Sequence, residues 1–140
     1  MKEIIVIQGA GDRGKTQTVK KVYDLLKAKY PKAKITDYFP GKYDIKILME
    51  NVNGLLVGIE SYGDPITDRL EDSLKCFDKA GCDIIFCSAR TRGYSVDWIK
   101  KYSKKYKITY IQQKYVFGNK NHQDRNNEDR AQEMIKAAGL

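Results

Sequence analysis

The chain has 140 residues, 41% of them apolar, and a formal net charge of +8. That length suits one domain with a real core, and the apolar content excludes an intrinsically disordered chain. The charge fits a polyanionic partner such as a nucleotide or a nucleic acid, although a lysine-rich solvated surface also accounts for it.

The first predicted element is a strand over the apolar run 4–7, preceded by Lys2 and Glu3. The run is too short for a signal peptide or a membrane span, so the expectation is a cytoplasmic protein with no membrane partner. It empties into Gly9-Ala10-Gly11-Asp12-Arg13-Gly14-Lys15-Thr16. Glycines let successive backbone N–H groups curl around phosphate oxygens, and the helix that follows points its positive end at the same anion. That helix is predicted over 16–30, with Val19, Val22, Leu25 and Leu26 on one stripe and Pro31 as the stop.

A short strand is expected over 33–38, closed by Pro40-Gly41. Residues 44–51 alternate, with Ile45, Ile47 and Met49 on one face, and Asn51-Val52-Asn53-Gly54 is turn chemistry. Residues 55–60 make the second arm of an antiparallel hairpin. Its unbroken apolar run predicts a central strand beside the 4–7 strand. Asp64 and Pro65 suit the start of a helix carrying Ile66, Leu70, Leu74 and Phe77, which Gly81 ends.

The continuous apolar strand 83–88 reads as covered on both faces. A helix follows over 95–105 with Val96, Ile99 and Tyr102 inward, then a strand over 107–112. Residues 118–126 read as a polar loop, a candidate lid, with Asn127 capping a last helix whose stripe is Ala131, Met134, Ile135 and Ala138. Cys76, Cys82 and Cys87 contain no C-x-x-C and read as small apolar residues in a reducing compartment. His122 stands alone, which leaves zinc few ligands.

Alternating strands and helices mean an α/β fold, a three-layer sandwich with a mostly parallel sheet and a β-hairpin, in a single domain over 1–140. Ligands in such sheets sit at the carboxyl ends of the strands. The residues there are Asp37, Glu60 with Asp64 just beyond, and the loop Ser88-Ala89-Arg90-Thr91-Arg92-Gly93. A carboxylate can hold Mg²⁺, and arginines can neutralise a transferring phosphoryl group or clamp an acidic acceptor.

Residues 9–16 match G-x-x-x-x-G-K-[ST] at every fixed position and resemble the Walker A motif of P-loop NTPases, in a layout similar to the small P-loop kinases. The resemblance implies ATP and Mg²⁺ as cofactors. The nucleotide would be held by Gly9, Ala10, Gly11, Asp12, Arg13, Gly14, Lys15, Thr16 and Gln17. The metal would fall to Thr16 with Glu60 or Asp64, and catalysis to Lys15, Glu60, Arg90 and Arg92. The activity implied is phosphoryl transfer to a small molecule or nucleotide, or ATP hydrolysis; holding nucleotide as a switch or structural module is the alternative. Gly9-x-Gly11-x-x-Gly14 also fits a dinucleotide fingerprint with Asp37 as the ribose acid. Lysines interleaved with Tyr102, Tyr106, Tyr110 and Tyr115 raise nucleic acid as a further partner. Guanine reading finds no support, because Ser88-Ala89-Arg90 precedes Asn119-Lys120-Asn121-His122, the reverse of the order found in small GTPases.

Overall fold

The computed structural model describes residues 2–9, 14–62, 69–91, 93–113 and 120–140. The elements run β1 (Glu3–Gln8), α1 (Lys15–Lys29), β2 (Lys34–Asp37), β3 (Lys46–Val52), β4 (Leu55–Glu60), α2 (Arg69–Ala80), β5 (Ile84–Ala89), α3 (Tyr94–Lys100), β6 (Lys107–Gln112) and α4 (Lys120–Ala137). The strands form one sheet in the order β2-β3-β4-β5-β1-β6. Pairings β4–β5, β5–β1 and β1–β6 are parallel, while β2–β3 and β3–β4 are antiparallel. The sheet is therefore mixed, and the expected hairpin forms its antiparallel side together with β2.

Side chains alternate across the sheet with period two, which splits the interior into two cores. Ile5 and Ile7 join Val19, Val22 and Leu26 of α1 and Ala131, Met134 and Ile135 of α4. Ile4 and Val6 point the other way, to Leu70, Leu74 and Phe77 of α2 and Trp98 and Ile99 of α3. The two helical layers with the sheet between them are the α/β sandwich that the patterning predicts. Tyr106 is buried in the second core and Tyr102 and Tyr110 pack against it, so these three tyrosines of the nucleic-acid signature are packing, while Tyr115 lies outside the described residues.

Three expectations need correction. β4 does not lie beside β1; β5 is hydrogen-bonded between them. Every residue of β5 is buried, so the strand with apolar side chains on both faces takes the position covered by both helical layers. The helix predicted over 95–105 ends at Lys100, and residues 101–105 continue as turns with i to i−3 bonds such as Ser103 N–H to Lys100 O. Finally, 120–126 is helix rather than loop, and Asn127 lies inside α4. No Gly or Pro interrupts 119–138, so nothing local breaks that helix. Residues 120–125 are all exposed, and a turn solvated on every side carries no apolar stripe to announce it. The lid reading of 118–127 thus meets a helix from Lys120 onward, with residues 118 and 119 outside the described residues.

Candidate phosphate-binding site

β1 hands the chain to the glycine-rich stretch at the carboxyl edge of the sheet, where Gly9 N–H bonds Ala89 O at 3.1 Å. Gly14 is the N-cap of α1, with φ of 82°. A side chain there would be strained in that left-handed conformation, and its Cβ would lie 2.9 Å from Asn127 Oδ1. Lys15 opens the helix and folds back to the end of β1, its Nζ donating to Gly9 O at 2.6 Å. Ala10, Gly11, Asp12, Arg13, Asp64 and Arg92 lie outside the described residues.

Gly14 is fixed from behind by a buried amide cluster. Thr18 Oγ1 meets Gly14 O at 3.1 Å, Gln113 Oε1 at 3.1 Å and Asn127 Oδ1 at 3.2 Å. Gln113 Nε2 donates to Asn127 Oδ1 at 3.0 Å. The end of β6 and the middle of α4 thus support the turn into α1. Asn127 is the polar first member of the buried stripe that continues through Ala131, Met134 and Ile135. The sequence offers that i, i+4, i+7, i+8 spacing once residue 127 is allowed to be polar.

The helices leaving adjacent strands β1 and β5 go to opposite faces, α1 to the first core and α3 to the second. This is the arrangement that opens a crevice at the carboxyl end of an α/β sheet. Gln8 Nε2 spans it, donating to Arg90 O at 3.2 Å, and Ser95 Oγ accepts from Arg90 N–H at 3.1 Å. The backbone around Arg90 is therefore held from both sides, while the residue stands exposed at the mouth.

Glu60 and Thr16 face different partners. The Glu60 carboxylate is fully buried, taking a bond from Tyr62 N–H at 2.7 Å on Oε1 and one from Ser73 Oγ of α2 on Oε2. Burial pushes its pKa up from 4.5 to about 7, against the pull of those two donors and of Lys46, its cross-strand partner, while Asp44 adds to the rise. The Thr16 hydroxyl instead meets Asp44 Oδ1 at 3.4 Å. Ser61, one residue past Glu60 and thus on the opposite face, donates to the same oxygen at 2.9 Å. Sequence reasoning does not single out Asp44 or Ser61. Nothing local marks them, because Asp44 stands 28 residues from Thr16 and meets it only through the sheet order.

Gln17 is exposed on α1, its Nε2 donating to Tyr43 Oη at 2.9 Å. Asp37 ends the edge strand β2, and its Oδ1 accepts from Phe39 N–H at 3.0 Å. Four strand spacings of ~4.8 Å put β2 about 19 Å from β1. A dinucleotide site needs its ribose acid on the strand next to the glycine-rich turn, so Asp37 is out of register for that role.

The donor set suits a nucleoside triphosphate with a divalent cation. A lysine ammonium sits on Gly9 O, a helix N-terminus follows a glycine cap, and a threonine hydroxyl sits beside a half-buried carboxylate. Comparison of the chain with protein-family models, curated proteins and solved structures gave no match in any of the three.

Proposed function

We propose that this chain is a P-loop protein that binds Mg-ATP and transfers the γ-phosphoryl group to a small-molecule or nucleotide acceptor, or to water. The observation that carries the reading is the Gly14 cap with Lys15 folded onto Gly9 O, at the crevice between β1 and β5. A polar strand-to-helix turn needs neither the lysine across its mouth nor the buried amides behind its glycine.

In this reading the loop amides and Lys15 hold the β- and γ-phosphates, displacing the Lys15 ammonium from Gly9 O onto phosphate oxygen. Thr16 would hold Mg²⁺, whose charge would screen the phosphates from an incoming nucleophile. Arg90, with Arg92 two residues further along the chain, would neutralise charge on the moving phosphoryl group. Catalysis is then positioning and charge neutralisation rather than covalent chemistry.

A second reading, nucleotide binding without turnover, has its own support. Glu60, an acid that the sequence offers for chemistry, is buried and accepts one bond on each oxygen, from Tyr62 and Ser73. Single-turnover reactions with γ-labelled ATP and Mg²⁺ separate the outcomes. Label on an added metabolite means a kinase, and label in free phosphate means a hydrolase. Tight binding with neither means a module, and absence of ATP binding removes the proposal.

A further inference from the structure

Ser61 is among the most tightly held residues at the carboxyl edge of the sheet. Its N–H bonds Ile45 O at 3.0 Å, its carbonyl accepts from Ser88 Oγ at 3.0 Å, and its Oγ accepts from Ile45 N–H at 2.8 Å. One proton remains on that hydroxyl, and it goes to Asp44 Oδ1 at 2.9 Å. A buried serine with every group committed thus aims a half-buried aspartate at the first turn of α1, where Thr16 Oγ1 stands 3.4 Å away.

We propose that Asp44 is the carboxylate that, with Thr16, holds the divalent cation of the bound nucleotide, directly or through one of the cation's waters, and that Ser61 is its positioning residue. This rests on the nucleotide reading above. Neighbouring oxygens on an octahedral Mg²⁺ at ~2.05 Å are about 2.9 Å apart, so the pair Thr16 Oγ1 and Asp44 Oδ1 needs to close by only about half an ångström. Glu60, the acid at the end of β4, has each oxygen engaged, one of them by Ser73 of α2. Two hard oxygens of different elements, one of them backed by a rigid hydroxyl, suit a metal site, since an outer donor fixes the ligand's direction.

The test reads the metal dependence of binding rather than turnover. Affinity for a fluorescent N-methylanthraniloyl derivative of ATP is titrated with Mg²⁺ and with EDTA in the wild type, Asp44→Asn, Ser61→Ala and Glu60→Gln. Losing a charged contact to the cation predicts that a Mg²⁺ gain of about tenfold or more in the wild type shrinks to about twofold or less in Asp44→Asn. Affinity in EDTA should hold or improve in that variant, because a carboxylate beside the triphosphate has been removed. Ser61→Ala should lose part of the gain and Glu60→Gln none of it. An undiminished Mg²⁺ gain in Asp44→Asn overturns the inference while leaving the nucleotide site intact. If Asp44→Asn does not fold, Ser61→Ala decides, and an unchanged gain there overturns the inference. A wild type that binds the probe in neither condition overturns the nucleotide reading itself, and this inference with it.

Discussion

Lys15 is half-buried, contributes to neither core, and spends its ammonium on a loop carbonyl. Lys15→Ala is therefore expected to leave the melting temperature nearly unchanged. It should weaken Mg-ATP binding by at least about tenfold, since a charge-assisted contact contributes roughly 1.5–3 kcal/mol. Isothermal titration checks this, and equal affinity in the variant would end the P-loop assignment. Glu60 makes a different prediction, on stability. Its pKa is about 7 in the folded chain against 4.5 in the reference state, so between those values the folded state binds more protons than the unfolded one. Stability contributed by Glu60 is thus complete below pH 4.5 and lost as pH rises through 7, a change on the order of 3 kcal/mol. Glu60→Gln keeps an acceptor for Tyr62 N–H but cannot ionise. Urea unfolding at pH 5 and pH 8 should find the variant gaining on the wild type at the higher pH, and parallel pH profiles would contradict it. The loop lysine is legible in the sequence because its meaning lies in eight contiguous residues. The burial of Glu60 is not, because it depends on Ser73 and on which face of β4 it occupies.

At the scale of elements, helices and strands with apolar stripes are legible in the sequence and those without are not. Val19, Val22 and Leu26 on α1 and Leu70, Leu74 and Phe77 on α2 are buried as their spacing predicts. The first turns of α4 carry no such signal, and their polarity reads as loop. The neighbour of β1 escapes sequence reasoning for another reason. Both β4 and β5 are apolar runs, and only the coverage of β5 by both helical layers makes it the inner strand. One contact between elements can be tested on its own. A Cβ at Gly58 of β4 would come within 2.6–2.8 Å of the Phe77 ring atoms of α2, so glycine is what lets that helix settle on the sheet. Gly58→Ala should cost about 1–3 kcal/mol by overpacking. In a double-mutant cycle Phe77→Leu should recover part of it, with a coupling beyond about 0.5 kcal/mol, whereas strictly additive losses would mean the strain lies elsewhere.

For the molecule as a whole, the crevice between β1 and β5 is where the two helical layers part, and a ligand there touches both. It would rest on the start of α1, which packs in the first core, and on the lip around Arg90, which Ser95 of α3 supports. The amides of Gln113 and Asn127 carry the same contact into β6 and α4. Under the proposed function, binding free energy would be shared across these elements and should appear as cooperative stabilisation, because only the folded chain assembles these parts. At a hundredfold excess over Kd, Mg-ATP should add about 2.7 kcal/mol, which for a chain of this length raises the melting temperature by several degrees. NAD should leave it unchanged, since Asp37, the acid that the sequence spacing offers for its ribose, lies about 19 Å from β1. Lys15→Ala, with affinity down at least about tenfold, should cut the ATP shift to about half or less at the same ligand concentration. Scanning calorimetry with each ligand decides. An NAD shift as large as that of ATP, lost in Asp37→Ala, would mean that β2 lies next to β1 in solution, against the order β2-β3-β4-β5-β1-β6.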